Sequence, residues 1–231
     1  AYKNGTYYLY FPAKDKDEIF RIGVATSKNP AGPFKARSKP IKGSYSIDPT
    51  TFIDGDGSAY MYFGGIWGGQ LQQWESGEFD PQGSLTDLGV ASNPAIMPRM
   101  AKLKDNMLEF DEEVKHIQIL NQSGKPILTK ELEIRFFEAP WIHKIGDVYY
   151  LSYSTGDTHN LAYATGDNPY GPFTYQGILG EPVQGWTNHH STIKINDQWY
   201  LFYHDTEISG KTHLRNVKFT RFDHNPDGSI S

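Results

Sequence analysis

The 231-residue sequence contains no cysteine. That absence excludes disulfides, thiol nucleophiles and cysteine-ligated zinc. It leaves the compartment open, with periplasmic, secreted and cytoplasmic locations all compatible. No apolar run approaches the roughly 18 residues of a membrane helix, and only 38% of residues are hydrophobic. Positive charge is scarce and scattered, with 22 basic against 27 acidic side chains and a formal charge of −5. Without a cluster of Lys and Arg there is no footprint for nucleic acid and no basic anchor for a membrane surface.

Aromatic residues and glycine are plentiful: 15 Tyr, 13 Phe, 5 Trp and 23 Gly. Many short strands joined by tight turns would use them. Tyr and Trp also suit carbohydrate, since a ring covers the face of a sugar while its polar tip meets hydroxyls. Four segments share a turn followed by an aromatic-rich strand. They are Asn4-Gly5 with Thr6-Tyr7-Tyr8-Leu9-Tyr10, Asp56-Gly57 with Ser58-Ala59-Tyr60-Met61-Tyr62, Gly146-Asp147 with Val148-Tyr149-Tyr150-Leu151, and Asn196-Asp197 with Gln198-Trp199-Tyr200-Leu201-Phe202. Each reads as a hairpin.

Three of these hairpins have an upstream partner strand led by an acidic or histidine residue: Asp48-Pro49-Thr50, Glu138-Ala139-Pro140 and His189-His190-Ser191. A second repeat, Asn-Pro-x-Gly-Pro-Phe, occurs at Asn29–Phe34 and Asn168–Phe173 and reads as the turn between a third and a fourth strand. Hairpin spacings of about 50, 90 and 50 residues and four strands per repeat predict an all-β fold of propeller type. The long middle interval holds the strand-like Gly69–Trp74 and a charged stretch, Lys104 to Lys115, that fits either a short helix or a solvated insertion. No linker or charge block divides the chain, so one domain is expected over residues 1–231. Ala1 opens inside a hairpin, with no initiator Met and no signal peptide, and the expectation is a chain truncated at its amino end.

In a propeller the innermost strands line a central channel, so residues at their starts converge. Asp48, Glu138 and His189 or His190 then share one geometry. Two carboxylates facing a polar, aromatic-lined cavity are the equipment of glycoside hydrolysis. One must hold a proton for the departing sugar oxygen, which calls for a raised pKa. Glu138 is the better acid, because Phe136-Phe137 and Pro140-Trp141 give it an apolar setting that penalises charge. A neighbouring Asp48 carboxylate would add like-charge repulsion.

The chain resembles glycoside hydrolase family 43, the five-bladed β-propeller β-xylosidases and α-L-arabinofuranosidases. The resemblance runs along essentially the whole chain. It is carried by Tyr2–Phe11, Ile47-Asp48-Pro49 with Phe52–Gly57, Glu138-Ala139-Pro140-Trp141-Ile142, Asn188-His189-His190-Ser191, Arg215-Asn216-Val217 and Asn225–Ile230. It implies that this chain supplies about four of the five blades. It also implies an inverting exo-acting hydrolase that releases xylose or arabinose from plant oligosaccharides or polysaccharides. Glu138 would be the general acid and Asp48 the carboxylate that tunes its pKa and orients it. Ala139 stands where the family usually has Gly.

The family's general base lies upstream of the Tyr-Lys-Asn-Gly hairpin, and no residue here matches it. Asp15, Asp17 and Glu18 are nearest in sequence but fall in a polar loop, so these residues alone are expected to be inactive. His189 matches the channel-facing position that contacts a calcium ion or the active-site hydrogen bonds, with His190 the alternative if the register slips. Arg215 matches the arginine that reaches substrate. Trp67, Phe137, Trp141 and Trp186 are pocket-wall candidates.

Arg21–Ala25 and Gly64–Gly69 look most like the xylosidase/arabinofuranosidase branch. Three other readings stay open: an endo-arabinanase of the same family, a non-catalytic carbohydrate-binding propeller, and a retaining hydrolase or fructosyltransferase on a related five-bladed fold.

Overall fold

A computed structural model describes residues 1–86, 90–156 and 158–231. Among the described residues the chain is all-β, and the strands form four sheets. They fall into two compact units, Ala1–Gly89 with Ile96–Gln118, and Val90–Ala95 with Ile119–Ser231. Among the described residues no helix is long and apolar enough to cross a membrane.

The first unit holds β1 (Tyr2–Lys3), β2 (Thr6–Lys14), β3 (Phe20–Ser27) and β4 (Lys35–Ala36) in one sheet, and β5 (Thr50–Ile53), β6 (Ala59–Phe63), β7 (Arg99–Leu103) and β8 (Lys115–His116) in another. Both are antiparallel meanders with strands side by side in chain order, the construction of a propeller blade. The hairpin signals behave as their chemistry requires. Asn4 and Gly5 both take positive φ, +50° and +72°, the pair of left-handed residues of a tight hairpin turn.

The strand β6 is buried along its whole length. Arg99 opens β7 with no exposed surface. Its guanidinium is satisfied by the Tyr45 hydroxyl at 3.2 Å, the Met97 carbonyl and the Glu75 carboxylate.

The second unit holds β9 (Ile119–Leu120), β10 (Phe136–Ile145), β11 (Val148–Thr155), β12 (Leu161–Gly166) and β13 (Phe173–Gly180) in one sheet, with β9 parallel to β13 on the outer edge. A three-stranded meander follows: β14 (His190–Ile195), β15 (Gln198–Asp205) and β16 (Asn216–Phe222). The Asn-Pro-x-Gly-Pro-Phe repeat makes the same turn in both units. Asn29 and Asn168 each accept the amide two residues on at 2.9 Å, and Gly32 and Gly171 both take positive φ, +85° and +74°. At Gly171 a Cβ would come within 2.9 Å of the Phe173 ring, so glycine is required there for space as well as conformation.

Two local expectations are corrected. Of the two readings of Lys104–Lys115, the short helix does not form. Lys104 and Glu109 close a turn, with the Lys104 amide on the Glu109 carbonyl at 2.9 Å, and Leu103 bridges Phe110. Asp105-Asn106 favours that turn, and Met107, with φ +62° and no exposed surface, plugs it into the core. Gly69–Trp74 is not a strand either: Trp67–Gly69 and Leu71–Trp74 are short 3-10 turns joined at Gln70, φ +66°. The Gln72 side chain accepts the Trp67 amide at 2.8 Å, giving the backbone a local partner in place of a ladder.

Candidate active site

In the first unit the candidate carboxylate Asp48 lies just before β5. Its backbone has φ +58°, and Ser46 has φ +61°. Positive φ is uncommon for a non-glycine residue, and a residue before proline is ordinarily held in extended conformations. The surroundings enforce the strain. Ser46 Oγ donates to the Gly69 carbonyl at 2.7 Å and accepts the Gly65 amide at 3.1 Å, and the Gly64 amide donates to the Ile47 carbonyl at 2.8 Å. A Cβ on Gly69 would meet the Ile47 side chain at 2.8 Å. The glycine-rich loop 64–69, which also carries Trp67, is therefore a clamp on the segment that presents Asp48. Backbone strain held by its surroundings clusters at functional sites.

The other carboxylate is built by a comparable device in the second unit. Glu138 lies in β10 at a double irregularity, where the register with β11 shifts between Phe136 and Glu138 and again between Glu138 and Trp141. Such bulges re-aim side chains beside active sites. Ala139 follows with φ +57°, which explains why glycine suits this position. The left-handed conformation costs an L-residue roughly 1–2 kcal/mol, against which glycine loses roughly 0.5–1 kcal/mol of chain entropy. Ala139→Gly is expected to raise stability by about 0.5–1 kcal/mol, read as a higher urea midpoint at unchanged slope. An unchanged or lower midpoint would show that the bulge carries no strain. Glu138 itself is 8% exposed.

An aromatic row begins at Phe137, the residue before Glu138. Phe137 meets His159 edge-on at 5.3 Å, and His159 lies 5.1 Å from Trp186. Phe137 is buried whereas Trp186 is 54% exposed, offering a face to solvent. The Trp141 indole N–H donates to Thr192 Oγ1 at 3.0 Å, tying β10 to β14.

His189 and Arg215 are joined through a residue the sequence did not single out, His204. The His189 amide donates to His204 Nε2 at 3.1 Å, the two rings stack at 6.2 Å, and Arg215 reaches the same nitrogen at 3.3 Å and Thr187 Oγ1 at 3.2 Å. Burial, and then the Arg215 charge, push the His204 imidazole down to about 4. It is a neutral acceptor at physiological pH. His190 points into the core, with Nε2 at 2.6 Å from Ser152 Oγ. Asp15 is held in its loop by Arg21 at 3.0 Å and by the amides of Asp17 and Ile19.

Below β10 lies a chain of hydrogen bonds that the sequence did not disclose. Thr192 Oγ1, already accepting from Trp141, is hydrogen-bonded to His143 Nδ1 at 3.2 Å, and His143 Nε2 to His224 Nε2 at 2.9 Å. Tyr150 stacks on His143 at 5.0 Å, and Trp199 and Phe222 pack round it. Burial, reinforced by His224 and His190, lowers His143 to about 3.

The unfolded chain takes a proton here near the ordinary value of about 6.5, while the folded protein refuses it until about pH 3. This contribution is complete above pH 6.5 and is lost as pH falls, by roughly 1.4 kcal/mol per unit. Urea midpoints are expected to drop steadily from pH 6.5 to 4, and His143→Gln should flatten that slope by about one proton. An unaltered slope would mean His143 is already charged in the folded state.

Comparison with known proteins places these features. The family model for glycosyl hydrolases family 43 matches residues 1–230. A xylosidase/arabinosidase 43A of Humicola insolens is 55% identical over 100% of this chain and 72% of its own length. A xylosidase/arabinosidase of Bacteroides ovatus is 52% identical over 99% of this chain and 70% of its own. Among solved structures, a family 43 β-xylosidase/α-arabinofuranosidase from a compost metagenome, complexed with xylotriose in a calcium-free form, superposes with a TM-score of 0.98. Its identity is 62%, covering all of this chain and 71% of that one. With the strained Asp48 and the bulged Glu138 lying in the Ile-Asp-Pro and Glu-x-Pro-Trp-Ile blocks, and the match spanning both units, the chain belongs to glycosyl hydrolase family 43.

Proposed function

We propose that this chain forms most of the catalytic propeller of an exo-acting, inverting pentosidase that removes xylose or arabinose from oligosaccharides or polysaccharides. The observation that carries the reading is Glu138, a buried carboxyl aimed by a bulge ahead of a left-handed Ala139, in a chain 55% and 52% identical to two xylosidase/arabinosidases. Glu138 gives its proton to the glycosidic oxygen as the bond from that oxygen to the anomeric carbon breaks. Water, losing a proton to a base across the ring, forms the new bond from the opposite face. Asp48 keeps Glu138 protonated and oriented by like-charge repulsion. No residue of this chain is assigned the base. Arg215, held by Thr187 and His204, is the cation that binds sugar hydroxyls. Phe137, Trp186 and Trp67 supply aromatic walls.

A calcium ion is the cofactor to weigh at His189. Calcium takes six to eight oxygens, so His189 would be a minority nitrogen ligand. The His189 imidazole would hold such an ion only weakly, with oxygen ligands and waters completing the shell, and no step of the reaction is routed through the ion.

The test is hydrolysis of 4-nitrophenyl xyloside and arabinofuranoside by the full-length protein, with the product anomer followed by proton NMR. Release of the anomer opposite to that of the substrate is expected. Retention would overturn the inverting mechanism, and binding without turnover would make the protein a sugar-binding propeller.

A further inference from the structure

The aim of Glu138 depends on a strand register, and that register needs a holder. Between Glu138 and Trp141 the strand β10 carries one residue more than β11, because Glu138 lies opposite Ser154 and Trp141 opposite Ser152. From Trp141 to Ile145 the pairing is regular, so Trp141 is the first regular rung beyond the bulge. Successive side chains of a strand point to opposite faces, and a slip of one residue would turn Glu138 to the other face. The backbone ladder is satisfied in either register. Side chains must choose between them.

Two residues of β14 make that choice. Thr192 is 5% exposed, and its hydroxyl accepts the Trp141 indole N–H at 3.0 Å and is bonded to His143 Nδ1 at 3.2 Å. Trp141 and His143 are two apart and share one face of β10, so a single hydroxyl holds two successive side chains of that face. His190, two residues before Thr192, has its Nε2 at 2.6 Å from Ser152 Oγ, and Ser152 is the residue opposite Trp141. Both members of the first regular rung are therefore tied to the same neighbouring strand. His143 is fixed in turn by His224 Nε2 at 2.9 Å and by the stacked ring of Tyr150 opposite it. After a slip of one residue, Trp141 and His143 would point away from β14 and leave the buried Thr192 hydroxyl without either bond, a costly state.

We propose that Thr192 is a positioning residue for the catalytic acid: its hydroxyl pins the register of β10 and so keeps the bulged Glu138 carboxyl aimed at the glycosidic oxygen. The part played in catalysis rests on the pentosidase reading, whereas the pin itself rests on the bonds within this unit.

The experiment uses the full-length protein and Thr192→Val, which removes the hydroxyl and keeps the β-branched shape that suits a strand. A catalytic group misplaced by a remote substitution can cost about 10²-fold in rate. The kcat on xylobiose is expected to fall by about that factor, with KM within about threefold of the wild type. On 4-nitrophenyl xyloside, whose leaving group departs without a proton, the loss should stay below about threefold. Thr192→Ser restores the hydroxyl and should recover the xylobiose rate. Trp141→Phe removes the donor instead of the acceptor, should give the same split between substrates, and serves if the valine variant does not fold. An equal loss on both substrates, or a serine variant as slow as the valine one, would reduce Thr192 to a structural contact and overturn the proposal.

Amide hydrogen exchange reads the pin without turnover. In Thr192→Val the amides of Glu138, Ala139, Trp141 and Ile142 should exchange at least about tenfold faster through local opening, while those of Ala162 and Ala164 in β12 keep their wild-type rates. If the wild type hydrolyses neither substrate and the four amides of β10 quicken, the pin stands and the pentosidase reading falls. If the wild type cleaves xylobiose and the variant changes neither rate nor exchange, the pin is overturned and the pentosidase reading stands.

Discussion

Glu138→Gln in the full-length protein should lower kcat on xylobiose by about 10²–10⁴, the usual contribution of a general acid. That is a loss of roughly 3–5 kcal/mol of transition-state stabilisation. The size of the loss depends on the leaving group. An alkoxide from a sugar cannot depart without a proton, whereas 4-nitrophenolate can, so the same variant should lose far less on 4-nitrophenyl xyloside. A purely structural role would depress both substrates alike. The alkaline limb of kcat/KM, which reports loss of the acid's proton, should disappear for the nitrophenyl substrate in the variant.

Stability should change little, because Gln keeps the volume and the neutrality of a protonated carboxyl whose side chain is 8% exposed. A loss below tenfold on xylobiose, with the alkaline limb intact, would remove Glu138 from the acid role.

The repeats were legible in the sequence because they rest on local chemistry. The Asn-Gly and Asn-Asp turns, the alternating strands and the two Asn-Pro-x-Gly-Pro-Phe turns each specify their own geometry, and the structure has a hairpin or strand pair at every one. What was misread depended on side chains closing loops through long-range or capping bonds. The charged run after Lys104 has residues at helical spacing, yet Met107 is drawn inward and Asp105-Asn106 turns the chain. In Gly69–Trp74 the buried Leu71, Gln73 and Trp74 lie on 3-10 turns, a spacing that a short window cannot separate from alternation.

At the site, residue types were readable and backbone states were not. Ile47-Asp48-Pro49 was visible as a motif, but its positive φ and the clamp by Ser46 arise from a loop some 20 residues away. His204 had no signature beyond its place near the end of a hairpin strand. It became meaningful once the fold brought His189 and Arg215 to the same nitrogen.

Asp48→Asn is the sharper test of how the two carboxylates work together. Asp48 holds φ +58°, and Asn tolerates that conformation as readily as Asp does. The substitution therefore removes the charge while leaving the strained backbone and the Ser46 clamp in place. If Asp48 keeps the acid protonated by repulsion, its loss lowers the acid's pKa, and the proton is given up at lower pH. The alkaline limb of kcat/KM should then move down by about one pH unit, a modest case of like-charge coupling, and kcat/KM near neutrality should fall by about tenfold or more.

Asp48→Ala removes the same charge but also forces a poorly tolerated left-handed alanine. It should show the same shift of the limb together with roughly 1 kcal/mol lower stability. Comparing the two variants separates electrostatics from conformation. A shift shared by both belongs to the charge, and a stability loss confined to Ala belongs to the backbone. An alkaline limb that stays put in Asn, whatever happens to kcat, would leave Asp48 as a structural residue of its own unit and end its part in tuning Glu138.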